Sequence, residues 1–553
     1  MAIQTRREAQ GRITDLWNRP LEWAHGLSLR VLGWFNQERW ANLITILAVV
    51  LANLVILGFM LQGADNRAIA FTILLLLTPI AILIPEVSIV TLIVIGSGLF
   101  VNTFYYAAPG AGTGQRTILL GFLGIVTARA IYEVLRTPAS ERPRLWTPLT
   151  VILTLYWIYH MFHVGYIYVN FYNIPPPESS EAALGFYQSG VLRYFDGHIL
   201  WIGILPLIIL LRDWTRARRV LIALGAIMVI SAGAIVWEYF APMPVFFKVM
   251  FQIRAAGESA EGYRVRDPSG LYFSMVGFFA ALYLLGYLRG ASRNMLLLAY
   301  IAASIFAILI TKNRILWGGI LLVLPLALLW KPPQILMRQV WIAGVVLLVS
   351  SAALLYPPIY TVAEQVYRET MERWTRNYAF GGDPRLDPSY QGRVRERETW
   401  EFHYARLPVS QKLLGAGLEA TYGYYVPLSA LGQFVRSPRF EKIYVEKTHI
   451  HFAWLGRLLR VGWVGATLIG LLYVVFFVRA AVIFLRYPHP FLRAIVVGLV
   501  GATVGVLFYD ALHTLLHRYE AVPVVLMWAF MELIPHWYRT GQVEKAAPDP
   551  QTA

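Results

Sequence analysis

Beyond residue 42 the chain alternates long apolar runs with short polar connections, and the runs have the length a helix needs to cross a membrane. About 20 helical residues span ~30 Å of hydrocarbon. Runs of this kind recur near 43–61, 68–85, 87–107, 117–135, 147–169, 198–211, 220–240, 271–288, 295–311, 315–330, 340–356, 463–478, 494–510 and 521–537. The pattern predicts an all-α, polytopic transmembrane protein of about 12–14 membrane helices, several of the runs being short. The first 42 residues hold no apolar run behind a basic start, so no cleavable signal peptide is expected. In that stretch Leu21, Ala24, Leu27, Val31, Leu32 and Phe35 recur at helical spacing near Arg30 and Arg39. Such spacing suits either a helix lying in the membrane interface or one packed on the protein.

Five segments follow from this division. Residues 1–42 form a cytosolic or interfacial prelude and 43–356 carry the first eleven membrane helices. Residues 357–462 form one large polar loop, 463–537 the last membrane helices, and 538–553 a cytosolic tail. The loop is too long to be a bare connection, which predicts a folded, functional element. Helical stretches are expected there around 361–378 and 394–406, separated by the turn-rich Gly381-Gly382-Asp383-Pro384 and Asp387-Pro388.

Composition agrees with the pattern. The chain is 57% hydrophobic and only 14% charged, which excludes an ordinary soluble enzyme, a disordered chain and a fibrous one. There is no cysteine, so thiolate nucleophiles, disulfides and cysteine-ligated metal centres are excluded. The net charge is nevertheless +16, and only seven of the 48 basic residues are lysine. Base-composition bias is the plainer cause, but arginine is also the side chain best shaped to fork onto phosphate.

The location of the basic residues sets the topology. With the N-terminus inside, the inner connections carry Arg136/Arg142/Arg144, Arg212/Arg216/Arg218/Arg219, Arg289/Arg293, Lys331/Arg338 and Arg479/Arg486/Arg493. That is the excess expected of cytoplasmic loops. The large loop then falls outside, together with basic residues at 241–270 and in the turn Thr311-Lys312-Asn313-Arg314, against the trend.

Four clusters on that outer face have chemical potential. They are Tyr263-Arg264-Val265-Arg266-Asp267, the turn with Lys312 and Arg314, Gly392-Arg393 through Arg397 to Trp400 with Leu414-Gly415-Ala416-Gly417, and Thr448-His449-Ile450-His451 leading to Gly462 and Gly465. Each also has a plain structural reading. Arginines at helix ends snorkel to headgroups, and the alternating charges from Arg393 to Glu398 suit a solvated helix with internal ion pairs. His449 and His451 lack metal-site spacing with a nearby carboxylate, so no metal is expected. Together, three arginine clusters and a histidine on one face suit a diphosphate, because guanidinium groups bind phosphate oxygens in pairs and histidine exchanges protons near neutral pH.

From about residue 260 to 480 the chain resembles the O-antigen ligase and O-antigen polymerase superfamily. His451 with Trp454-Leu455, Gly462 and Gly465 resembles the family's His-Asn-x-Tyr-Leu run into Gly-x-x-Gly. Gly392-Arg393, Trp400 and Gly415-Ala416-Gly417 resemble its Gly-Arg, Trp and Gly-x-Gly, and Thr311 to Arg314 its Thr-x-Ser-Arg turn. Arg264 or Arg266 with Gly270 looks like its earlier Arg and Gly. Phe452 stands in place of Asn and Asn313 in place of Ser, and the Arg393 to Trp400 interval is longer than usual, so either Arg393 or Arg397 fills the family's arginine role.

The resemblance implies a metal-independent, inverting membrane glycosyltransferase that moves a glycan from an undecaprenyl-diphosphate carrier to an acceptor hydroxyl on the periplasmic face of a bacterial inner membrane. Its implied catalytic residues are His451, Arg314 and Arg393, with Arg264, Arg266, Lys312 and Arg397 on the diphosphate and His449 as a secondary candidate. The implied partners are the lipid-linked donor, a glycan or lipid A-core type acceptor and the bilayer, with no cofactor and no nucleic acid. A protein O-glycosylating relative is a variant of the same chemistry. A transporter or flippase of a lipid-linked or anionic substrate is the competing class, and it directs attention to His160, His163 and Glu238 near midspan.

Overall fold

The computed structural model describes residues 84–96, 112–138, 142, 144–170, 200–241, 254–255, 265–266, 270–288, 291–311, 320–325, 331–353, 388–417, 422–427, 442–447, 453–512 and 522–543, with isolated positions between 357 and 368. Helix is the framework. In chain order the helices are α1 (Pro85–Gly96), α2 (Gly112–Arg136), α3 (Pro148–Asn170), α4 (Ile204–Leu210, after a 3-10 turn at Leu200–Gly203), α5 (Trp214–Phe240), α6 (Gly270–Leu284) and α7 (Ala291–Thr311). They continue with α8 (Pro333–Ala353), α9 (Pro388–Arg406), α10 (Val409–Leu414), α11 (Ala453–Arg486), α12 (Pro490–Leu512) and α13 (Val522–Arg539). Strand is confined, among the described residues, to two antiparallel ribbons: β1 (Arg254–Ala255) with β2 (Val265–Arg266), and β3 (Tyr422–Pro427) with β4 (Lys442–Lys447).

Among the described residues four segments are long and apolar enough to cross a membrane: Trp214–Phe240, Ser292–Ile310, Trp454–Arg486 and Pro490–Leu507. With the shorter apolar helices packed on them they make a helical membrane protein. The predicted runs from 117–135 to 295–311, at 340–356 and from 463 onward coincide with α2 to α8 and α11 to α13, and α1 covers the start of the run at 87–107; the run at 43–61 and most of those at 68–85 and 315–330 lie outside the described residues. The expected start of the twelfth run at residue 463 moves, because α11 begins at Ala453 and passes through Gly462 as a bend at φ 62°, ψ −172°.

Local chemistry sets several helix starts. Thr147 and Thr150 cap α3 reciprocally: Thr147 N–H donates to Thr150 Oγ1 at 2.8 Å and Thr150 N–H to Thr147 Oγ1 at 3.3 Å, with Pro148 pre-set for the first turn. Asp213 caps α5, its carboxylate accepting from the amides of Thr215 and Arg216. Helices α6 and α12 approach closely because small residues line the seam. A Cβ on Gly498 would stand 2.5 Å from the Val276 carbonyl oxygen, and one on Gly501 2.0 Å from the Phe279 ring. Such small-residue seams let backbones pack where the surrounding lipid offers no hydrophobic drive.

One end of the helix array collects the basic residues and their partners. Arg219 meets Glu86 at 3.4 Å, Arg216 meets Glu133 at 3.0 Å, and Arg479 forks onto Glu532 at 3.1 and 2.9 Å. Trp214 packs on Trp537, Tyr487 on Tyr538, and Tyr283 on Phe484. These contacts join the start of α1, the end of α2, the start of α5, the end of α6, the turn between α11 and α12, and the end of α13. Among the described residues these connections share one end of the helix array. At the other end Phe306 of α7 packs on Tyr239 and Phe240 of α5.

Candidate functional site

The far end gains its shape from a clasp between α3, α10 and α11. Ala416 N–H donates to the Leu459 carbonyl at 2.7 Å and Gly417 N–H to the Arg460 carbonyl at 3.1 Å. The approach requires glycine on both sides. A Cβ on Gly415 would lie 2.1 Å from the Arg460 carbonyl oxygen, and one on Gly462 2.3 Å from the Leu413 carbonyl oxygen. Gly415 at φ 90°, Gly417 at φ 110° and Gly462 at φ 62° adopt left-handed backbone that side chains resist. Gly465 admits Tyr159, whose ring a Cβ there would approach to 2.9 Å.

Tyr159 locks the joint. Its hydroxyl shares one hydrogen between the Leu414 carbonyl at 2.8 Å and the Val461 carbonyl at 2.9 Å, oxygens left over at the end of α10 and at the bend of α11. His163, one turn along α3 and buried, meets the Tyr159 ring edge-on at 4.9 Å. The Gly-x-Gly and Gly-x-x-Gly spacings read from the sequence thus do one job together: they let backbone touch backbone.

Helix α9 rests on this clasp through Trp400. Its ring, 5% exposed, stacks on Tyr404 at 4.5 Å and packs with buried Leu459, with Leu407, Ala416, Leu455 and Leu458 around them. Burial raises the Tyr404 hydroxyl pKa. Helix α9 agrees with the stretch expected at 394–406, starting earlier at Pro388. Trp400 is therefore a packing residue that sets where the α9 arginines stand.

The candidate side chains fall into three groups. Arg393 lies on α9, and Arg397 lies one turn later with its guanidinium on Glu401 at 2.8 Å, both partners well exposed. That is a solvated i,i+4 pair, as the alternating charges led one to expect of this helix, though its partner Glu401 lies beyond the Arg393–Glu398 stretch; it is worth about 0.3–0.5 kcal/mol. Arg266 lies in β2, which packs on α5 and on α7, the helix that leads into Lys312 and Arg314. The register pairs Arg266 with Arg254 across the ribbon. Like charges directly opposite in a ribbon destabilise it unless an anion lies nearby. Arg264, Lys312, Arg314, His449 and His451 lie outside the described residues.

Sequence reading passed over Arg457 and Arg460. Both are on the first turns of α11, 3% and 2% exposed, and Arg457 lies 4.9 Å over the Trp454 ring. Their signal was two arginines three apart inside an apolar helical run, hidden by starting the run at 463. Arg254 was missed because no local pattern reveals a cross-strand partner. No group of three or more His, Asp or Glu with metal-site geometry occurs among the described residues. No protein-family model matches the chain, and no curated protein matches it.

Proposed function

We propose that the protein is a membrane glycosyltransferase of the O-antigen ligase and polymerase type, acting on the periplasmic face of a bacterial inner membrane. Its donor would be a glycan on undecaprenyl diphosphate and its acceptor a glycan or lipid A-core type hydroxyl. The observation that carries this reading is the clasp. The two glycine motifs of the resemblance, far apart in sequence, are in mutual backbone contact, and α9, the helix that carries Arg393 and Arg397, packs on the same joint through Trp400. Buried Arg457 and Arg460 add two positive charges to α11, and the Arg254–Arg266 pair adds two on the ribbon that touches α7.

In this mechanism His451 takes the proton of the acceptor hydroxyl, a role worth about 10²- to 10⁴-fold in rate. The hydroxyl oxygen attacks the anomeric carbon as the bond to the diphosphate breaks, which inverts the configuration. Arg314, with Arg393 or Arg397, neutralises the charge growing on the departing diphosphate, assisted by Arg264, Arg266 and Lys312. A fixed donor of this kind is worth about 3 kcal/mol. No metal has a part in the scheme, because the guanidinium groups supply the countercharge.

The test is reconstitution of the pure protein with an undecaprenyl-diphosphate glycan, an acceptor and a chelator. Product formation lost in His451→Ala and Arg314→Ala supports the reading, and full activity in both sinks it. A second reading, transport of an anionic or lipid-linked substrate, is favoured by buried His160, His163 and Glu238 on α3 and α5. Movement of lipid-linked glycan across vesicles without product would select it.

A further inference from the structure

At the basic end, remote from the clasp, Lys331 is 7% exposed in the connection that leads into α8. Its ammonium donates to the Leu282 carbonyl at 3.0 Å and stands 5.0 Å over the Tyr283 ring and 5.8 Å over that of Tyr287. Burial lowers its pKa from 10.5 to about 7, and among the described residues no acidic side chain offsets that burial. The Tyr283 and Tyr287 hydroxyls lie 3.3 Å apart. Arg493 donates to the Phe484 carbonyl at 3.0 Å and covers the Phe484 ring at 4.8 Å, the ring that meets Tyr283 edge-on at 6.0 Å. Arg338 donates to the Gly286 carbonyl at 3.3 Å, and Arg486 is exposed at the end of α11. On α13, the Glu532 carboxylate is already forked by Arg479.

Phe484 is also the wall of a cavity of about 180 Å³ between α11 and α12, lined by Phe477, Ala480, Ala481, Val497 and Val500 with Val323. The lining is apolar throughout, and the two helices are among those able to cross a membrane. An apolar groove running to a cluster of cations with no free carboxylate among the described residues has the two-part chemistry of an anionic amphiphile.

We propose that this groove holds an acyl chain of an anionic phospholipid whose phosphate is bound by Arg493 and Lys331 beside the Tyr283–Tyr287 hydroxyl pair. The site is independent of the glycosyl-transfer reading: it lies at the opposite end and uses none of the same residues. A phosphate there supplies the countercharge that buried Lys331 lacks and returns its proton affinity toward the ordinary range.

The test uses the full chain, delipidated in detergent, with phosphatidylglycerol or phosphatidylcholine of matched chains, or inorganic phosphate alone. Native mass spectrometry and thermal melting read binding. Phosphatidylglycerol should bind and stabilise in preference to phosphatidylcholine, and Arg493→Gln or Lys331→Met should weaken it about tenfold. Ala481→Trp, on the exposed wall of the groove, should weaken both lipids while leaving the basic cluster intact, so the proposal stays testable if a charge variant does not fold. Equal binding of the two lipids overturns the headgroup site. Equal protection by inorganic phosphate, or no effect of Ala481→Trp, overturns the acyl site.

Discussion

Gly462→Ala tests the clasp most directly. At φ 62°, ψ −172° the position lies where only glycine rests easily, and an alanine held there costs about 1–3 kcal/mol. Its Cβ would stand 2.3 Å from the Leu413 carbonyl oxygen and 2.4 Å from the Gly415 nitrogen, both backbone atoms that no rotamer change can clear. Relief requires α10 and α11 to part, which forfeits the Ala416 to Leu459 and Gly417 to Arg460 hydrogen bonds at ~1 kcal/mol each. The sum, about 3–5 kcal/mol of local stability, corresponds to hydrogen exchange roughly 10²- to 5 × 10³-fold faster at the Ala416 and Gly417 amides. Exchange measured by mass spectrometry on peptides spanning 410–420 reads this. Gly470→Ala, on the same helix with nothing within 4 Å of its Cβ, is the control and should leave those peptides unchanged. Unaltered protection at Ala416 and Gly417 in Gly462→Ala would refute the reasoning.

Three further outcomes are expected. Tyr159→Phe removes the shared hydroxyl bond and should speed exchange in the same peptides only about fivefold, since one neutral hydrogen bond is worth ~1 kcal/mol; a change as large as that of Gly462→Ala would assign Tyr159 a larger part than the clasp geometry allows. Glu532→Ala strands Arg479 and should lower stability by about 3–5 kcal/mol in a detergent melt, whereas the double change Arg479→Leu with Glu532→Leu should recover much of the loss. Lys331 has its folded pKa depressed from 10.5 to about 7, so its contribution to stability is present above 10.5 and is lost as pH falls toward 7. Delipidated wild type should therefore lose a few kcal/mol relative to Lys331→Met across that window, and the difference should level off below pH 7; parallel profiles would refute it.

Much of this molecule is legible along the chain because membrane burial writes itself in one dimension. An apolar run of sufficient length has few alternatives to a spanning helix, and arginines on alternate connections fix which ends share a side. That is why the joining of α2, α5, α11 and α13 at a common basic end was predictable before any contact was seen. Arg397 also behaved as its local sequence said, because an i,i+4 pair needs only a helix.

What tertiary structure alone decided is the meaning of residues whose partners are distant. The spacing of Gly415, Gly417, Gly462 and Gly465 marked them without saying that they meet, and Tyr159 carried no mark at all, because backbone contact between separate helices leaves no periodicity in either. Trp400 looked like a site residue and is a packing one, since burial is a property of what surrounds a side chain. Arg457 and Arg460 lay hidden in an apolar run, and Lys331 looked like one more topology-setting cation until the fold buried it against two tyrosines. Sequence by itself determined the apolar helices and their order, because helix length and hydropathy are read along one dimension; the close approaches that convert marked residues into a clasp, a buried arginine pair or a cation cluster arise only when segments far apart in the chain are packed together.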